Sequence, residues 1–281
     1  YVVAAKVINL NITMPIGPSD INGDLVSIVD RDVILVREGV AFTALSGYYD
    51  PNEPTLGPLC GVPVSNPVPV LPFPPTLEST VSEDGCNYTA VAEFKSPLIG
   101  KITINRGFVG VDVTVRGKDY RVVNTHLEVR ELLSDAKFSR IFQYLQSEEL
   151  IETLRVTTPE DLTLILLGDF NSCDEDMSVF IGPFEIFPPY QVIIDHDAGF
   201  LDIWDKNPLK LLDPYGFTCC QDADLLNKKS LFDERIDIIF VLDKPLLPLA
   251  LVTGRVPIFP LYWPPNWASD HGGVFAKLIF R

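Results

Sequence analysis

Several short apolar runs in this 281-residue chain break off at a histidine, an aspartate or an asparagine. "RVVNTHLE" puts His126 just past one run, and "LTLILLGDFNS" puts Asp169 and Asn171 past another. "RIDIIF" sets Asp237 at the start of a third, and "SDHGGVFAKLIF" sets Asp270 and His271 before a fourth. A short, continuously apolar run bounded by turn residues reads as a strand buried on both faces. Such strands need cover above and below, which layered α/β arrangements supply, and ligands sit at the strand mouths. Four strands that each meet His, Asp or Asn at one end therefore point to a site.

The remaining elements fit that frame. "DVILV" (Asp32 to Val36) reads as a short apolar strand. In "VDVTVRGKDYRVV", Val111, Val113 and Val115 alternate with Asp112, Thr114 and Arg116, predicting a hairpin that turns at Gly117-Lys118. A helix is expected from Ser134 as N-cap, with Phe138, Ile141, Phe142 and Leu145 on one apolar face. Residues 47–88 are too rich in proline and glycine for a central strand or a helix, and read as a long surface loop, a lid over a cleft. Many buried strands with few helices suggest two sheets packed face to face. No fixed-period repeat is present, and nothing demands a domain boundary.

A hydrophobic fraction of 47 % describes a packed globule, and no run approaches the about 20 apolar residues of a membrane-spanning helix. The 22 Lys+Arg against 38 Asp+Glu leave a net charge of −16. Such a field argues against strong non-specific nucleic-acid binding, though not against a phosphate held through a metal ion. With five cysteines at least one is unpaired. Cys60 and Cys86 bracket the proline-rich stretch; joined, they would favour an extracytoplasmic over a cytoplasmic home, and two buried thiols are the other reading.

Taken singly, each strand-end residue has an ordinary explanation: an Asp caps a turn, and a histidine satisfies a core. His196 matches no strand-end pattern and reads as structural, while Trp263 and Trp267 read as packing a loop at the cleft rim. Together, "NTHL", "GDFNS", "RIDIIF" and "SDHGGV", in that order from Asn124 to Val274, resemble the endonuclease/exonuclease/phosphatase superfamily. "DRDVILVR" and "TCCQDADLLNKKSLFDERID" look like one subgroup of it.

That resemblance implies a four-layered α/β sandwich of two packed, mostly antiparallel sheets flanked by helices. It also implies a metal-dependent phosphoesterase using Mg²⁺, with Mn²⁺ or Ca²⁺ as alternatives. By resemblance Asp270 is a metal ligand, and His271 is the general base or the positive group polarising water, oriented by Asp237. Asp169 orients the attacking water or holds a second metal. Asn171 donates to a phosphoryl oxygen, as does His126 from the opposite sheet. Arg106, in "NRGF", is a candidate phosphate contact beside its plainer reading as a solvated arginine. Glu128 and Arg235 are read as supporting residues or salt-bridge partners.

The pattern departs from the family at its start. The family's first strand with its asparagine, and the following helix with its metal-binding glutamate, have no counterpart; "YVVAAKVINLNITMP" looks like sequence that follows them. The expectation is a single domain over 1–281 lacking that strand and helix, with 47–88 as a proline-rich insertion. Three readings follow: a phosphodiesterase of nuclease type or acting on a phospholipid headgroup, a phosphomonoesterase for sugar or inositol phosphates, or a binding module that has lost its metal ligand. The partner in the first two is a phosphate-ester substrate, and oligomeric state stays open.

Overall fold

The structure, a computed structural model, describes residues 1–15, 24–53, 57–69, 73–96, 100–131, 136–195, 199–258 and 266–281. A long ribbon opens the chain, β1 (Val2–Pro15) and β2 (Leu25–Val36), followed by β3 (Ala41–Ala44). The proline-rich stretch carries β4 (Val64–Ser65), β5 (Thr76–Leu77), β6 (Thr80–Ser82) and β7 (Gly85–Asn87). Then come β8 (Ala92–Ser96), β9 (Gly100–Ile104), β10 (Gly107–Val115), β11 (Lys118–His126), α1 (Ala136–Thr157) and β12 (Thr163–Asp169). The rest comprises β13 (Val179–Ile181), β14 (Phe184–Ile186), α2 (Pro189–Asp195), β15 (Leu201–Asp202), α3 (Ile203–Lys206), β16 (Asp237–Val241), β17 (Leu247–Val252) and β18 (Val274–Ile279).

An eight-stranded mixed sheet in the order β15-β16-β12-β11-β10-β7-β6, with β3 also on β10, is the hub. The β10–β11 hairpin forms as its alternation predicts, but it turns on Arg116 and Gly117, with φ of 55° and 77°, one residue earlier than expected. Val115 already pairs with Lys118, which leaves two left-handed residues for the tight turn. From β11 the chain crosses over through α1 to β12, and these two strands run parallel. Ser134 lies outside the described residues. Of the expected apolar face of α1, Ile141 and Leu145 are buried and Phe138 is exposed.

One face of the sheet packs Phe108, Val123, Leu166, Ile238 and Phe240 against Leu150, Ile151 and Leu154 of α1. The other face is covered by two ribbons. β1–β2 sets Ala5, Val7, Ile34 and Val36 on Val109 and Val111. β17–β18 sets Ala250, Ala276 and Leu278 on Ile239 and Val241. This is why β12 is apolar without alternation: Leu164 and Leu166 meet the helix layer, and Ile165 meets a ribbon.

The chain is thus a layered α/β sandwich whose second sheet layer consists, among the described residues, of two separate ribbons. Their outward faces leave Val3, Leu35, Leu251 and Phe275 exposed, so no helix layer covers those positions. No helix among the described residues is long and apolar enough to cross a membrane.

The proline-rich segment corrects the lid expectation. Its Val62, Val64, Val68 and Leu77 are buried against Ile141 and Leu145 of α1, and Cys60 and Cys86 are joined with their Cα atoms 5.4 Å apart. Valines between the prolines give this stretch an apolar face, and the disulfide closes it into a strap. Among the described residues its valines pack on the far side of α1, and its end, β7, joins the large sheet beside β10.

Candidate active site at the ends of the central strands

Register across the sheet assembles the site. Gly107 pairs with His126, His126 with Asp169, and Asp169 with Asp237, so three candidate residues stand in one row on adjacent strands. Residues at equal register point to one face. Counting back in twos, His126 shares a face with Val122, Asp169 with Ile165 and Asp237 with Ile239, all of which meet the ribbons. His126 therefore belongs to the same sheet as Asp169, not to the opposite one as the resemblance implied. Gly168 makes this closeness feasible: a Cβ there would run into the Thr125 carbonyl oxygen, and its φ of 149° suits glycine.

His271 enters from the ribbon layer, just before β18. Its Nδ1 lies 2.8 Å from Asp237 Oδ2, and its Nε2 lies 3.5 Å from Cys219 Sγ. The segment from Thr218 to Gln221 ties the two halves of this dyad together. Gly272 N–H donates to the Thr218 carbonyl at 2.6 Å, Gln221 N–H to that of Asp270 at 2.9 Å, and Thr218 Oγ1 accepts from the Asp237 N–H at 3.2 Å.

Electrostatics give the two histidines opposite characters. The hydrogen bond to Asp237, then the charges of Asp237, Asp169 and Asp270, raise His271 to about 9 against the opposing effect of burial. Burial, then Arg106 and His271, lowers His126 to about 3, which keeps it neutral. Asp169 is pushed up to about 6 by burial and by Asp237, while the Asn171 N–H that it accepts at 2.9 Å works the other way.

Arg106 is buried, not a solvated surface arginine. Its Nε and Nη2 donate to Glu128 Oε1 at 3.3 and 3.1 Å, and its Nη1 lies 3.1 Å from the His126 ring nitrogens. His126 Nε2 lies 3.4 Å from Asp169 Oδ2. Gln143 and Gln146 of α1 hold this corner, through the Glu128 and Asn171 carbonyls and the Glu128 N–H. Asn171, at φ 46°, directs its amide Nδ2 to the Leu127 carbonyl at 3.0 Å, so that donor is already engaged.

Asp270 stands outside the cluster. It is exposed and its Oδ1 accepts from Ser269 Oγ at 3.2 Å, whereas ligand atoms of Asp169, Asp237 and His271 lie within 4.8 Å of one another. Neighbours in an extended segment point opposite ways, so when His271 turns inward to Asp237, Asp270 turns to solvent. Arg235 is structural: its guanidinium lies 2.7 Å from Asp202 and 3.3 Å from Asp174. Trp267 is core, donating from Nε1 to the Asn227 carbonyl at 2.7 Å. His196 and Trp263 lie outside the described residues.

Sequence reading missed one pair. Asn9 is fully buried and its Nδ2 donates to Asp32 Oδ2 at 2.9 Å, while its Oδ1 has no partner. Burial pushes Asp32 up to about 7 against that bond, and the charges of Arg106 and Asp169 both reach it. The available signal was the charged triplet Asp30-Arg31-Asp32 set between two apolar runs of one strand, with "DRDVILV" as its second half. The donor set suits a hard divalent cation: Asp169 and Asp237 offer carboxylate oxygens, burial and the Asp237 charge outweigh His271 and Arg106 in raising Asp169, and an orphaned amide oxygen sits on the adjoining ribbon.

No protein-family model matches the chain, and no curated protein matches it in sequence. Solved structures do match. TDP2 of D. rerio, complexed with a single-strand DNA product, is 17 % identical over 66 % of this chain and 76 % of that one, at a TM-score of 0.41. The mannosyl-6-phosphatase of Bacteroides thetaiotaomicron is 19 % identical over 63 % of this chain and 58 % of that one, at 0.42. An endonuclease/exonuclease/phosphatase family protein from Leptotrichia buccalis is 19 % identical over 63 % and 55 %, at 0.39. The last bears the name of the superfamily that the four motifs resemble. At these identities and TM-scores the likeness carries no chemistry, which rests on the side chains.

Proposed function

We propose that this chain is a divalent-metal-dependent phosphodiesterase. The observation that carries the reading is the row of His126, Asp169 and Asp237 on adjacent strand ends, faced by His271 on Asp237. Asp237 fixes the His271 ring and its tautomer, leaving Nε2 as the nitrogen that exchanges a proton with water. Asp169 orients that water. Arg106 and neutral His126 donate toward the phosphoryl oxygens from the other side of the row. A bound cation, held by Asp169 and Asp237, would neutralise charge growing on the phosphoryl group and draw His271 down toward the range of a base. Mg²⁺ is the first choice, with Mn²⁺ and Ca²⁺ as alternatives.

Charge favours a diester over a monoester. Asp32, Glu128 and Asp169 lie around one buried arginine, an environment that suits the single charge of a diester better than a densely phosphorylated sugar. The Cys60–Cys86 disulfide supports an extracytoplasmic setting. The second reading, a binding module without turnover, draws on the outward Asp270 and the engaged Asn171 amide.

Hydrolysis of bis-p-nitrophenyl phosphate and p-nitrophenyl phosphate with Mg²⁺, Mn²⁺, Ca²⁺ or EDTA separates these readings. Metal-dependent turnover with the diester preferred is expected. A preference for the monoester would favour the phosphatase, and no turnover of either ester with any cation would favour the module. Plasmid DNA, sphingomyelin and inositol phosphates then divide the substrate classes.

A further inference from the structure

The reaction outlined above gives the leaving oxygen no proton donor. His271 and Asp169 act on the attacking water, and His126, lowered to about 3 and so neutral, has no imidazolium proton to give. Displacement at phosphorus keeps the attacking and leaving oxygens roughly in line. Along the row Gly107, His126, Asp169, Asp237, the water stands at the Asp237 end, where His271 enters. The leaving oxygen therefore stands toward the Gly107 end.

The other ribbon covers that end. β1 packs on β7 and β10, and β2 packs on β10 and β11. Val7 marks the level: a Cβ on Gly107 would lie 3.1 Å from its Cγ2. The cross-strand partner of Val7 is Asp32. Two residues further along β2, Ile34 packs on the large sheet, so Asp32 points the same way. Asp32 is thus set across the layer gap from Gly107 and His126, as His271 is set across it from Asp237. It is partly buried, and among the described residues only its Oδ2 is engaged, by Asn9 Nδ2 at 2.9 Å. Asn9 is fixed in turn: it is fully buried, and its carbonyl accepts from the Asn105 N–H at 2.9 Å, next to Arg106. Its Oδ1 finds no partner, so the pair costs stability where two apolar residues would not.

We propose, resting on the phosphodiesterase reading, that Asp32 is the general acid that protonates the leaving oxygen. As the P–O bond breaks, its electron pair stays on the leaving oxygen and takes the Asp32 carboxyl proton. The water oxygen forms the new bond to phosphorus and gives a proton to His271 Nε2. Exchange with solvent then returns a proton to Asp32 and removes one from His271. Burial raises Asp32 to about 7, against the Asn9 bond; Asp30 on its own strand and Asp169 on β12 add to the rise, and Arg106 opposes it. With His126 on β11 neutral, these groups leave Asp32 able to carry a proton at neutral pH. Each ribbon then supplies one half of the proton transfer, His271 at the water and Asp32 at the leaving group.

The test sets Asp32→Asn beside wild type, with Mn²⁺, on bis-p-nitrophenyl phosphate and on diphenyl phosphate. Phenolate is the more basic leaving group and needs the proton more. The expected loss of kcat is greater on diphenyl phosphate than on the nitrophenyl ester, by a factor on the order of 10². Mn²⁺ affinity, read by electron paramagnetic resonance, should be the same in both proteins. Independently of turnover, the carbon-13 signal of the Asp32 carboxyl in metal-free wild type should titrate near 7. Equal losses on the two esters would make Asp32 structural, a fall in Mn²⁺ affinity would make it a metal ligand, and no loss on either ester would make it idle. A carboxyl that titrates like an ordinary aspartate would have no proton to give. Each of these results overturns the proposal. Turnover of neither ester by wild type would instead fail the phosphodiesterase reading, and the proposal with it.

Discussion

Asp237 and His271 come from different layers of the sandwich and meet at 2.8 Å, carboxylate Oδ2 to imidazole Nδ1. Asp237 begins a strand of the large sheet, His271 precedes the last strand of a ribbon, and the Thr218–Gln221 segment holds both, Asp237 through the Thr218 hydroxyl. Replacing Asp237 by Asn keeps the shape and removes the charge. His271 should fall from about 9 toward an ordinary histidine, read by its ring-proton NMR titration. Diester turnover should fall on the order of 10²- to 10⁴-fold. An unmoved His271 titration would show that the pairing does not govern the ring.

Arg106 and Glu128 form a buried ion pair at 3.1 Å. Removing the arginine alone strands a buried carboxylate, so Arg106→Gln should cost roughly 3–5 kcal/mol of stability, measured by urea unfolding. Arg106→Gln with Glu128→Gln should recover most of that stability without recovering diester kcat/KM. His126, no longer beside the guanidinium, should titrate above about 3 in both variants.

Glu149 lies on α1, fully buried, with its carboxylate oxygens accepting from the Thr89 N–H at 3.3 and 3.1 Å. Burial raises it from 4.5 to about 8 in the fold. Its stabilising contribution is therefore complete below pH 4.5, falls as pH rises to about 8, and is flat above. Glu149→Gln removes this slope. The variant's stability relative to wild type should grow across that window, reaching on the order of a few kcal/mol at its upper end. Chemical denaturation at several pH values measures it.

Cys60 and Cys86 close a strap with a sequence separation of 26 residues. Chain-entropy arguments give such a closure roughly 3–4 kcal/mol. Cys60→Ala with Cys86→Ala should lower stability by about that amount while diester turnover in the folded protein stays close to wild type, because Cys86 pairs with Phe108 and faces the helix layer, opposite the face that carries the site. Loss of turnover in folded protein would restore the lid reading.

The strand mouths were legible because buried strands are short apolar runs and polar residues mark their ends. Once β11 and β12 pair parallel and β12 and β16 antiparallel, the register aligns His126, Asp169 and Asp237 without further information. Other features depend on tertiary contacts that local pattern does not encode. Asp32 looks like a solvent-facing acid until β1 buries it with Asn9. The valines of the strap read as loop residues until α1 offers them a surface. Asp270 and His271 could each have turned inward; the frame that pairs His271 with Asp237 decides which does.

The most direct measurement is return of bis-p-nitrophenyl phosphate turnover when Mn²⁺ is added to EDTA-treated protein, for wild type beside Asp169→Asn. The account predicts full return in wild type and on the order of a 10²-fold or greater deficit in Asp169→Asn at equal folded protein. Equal return in the two, or turnover that EDTA never abolishes, would contradict it.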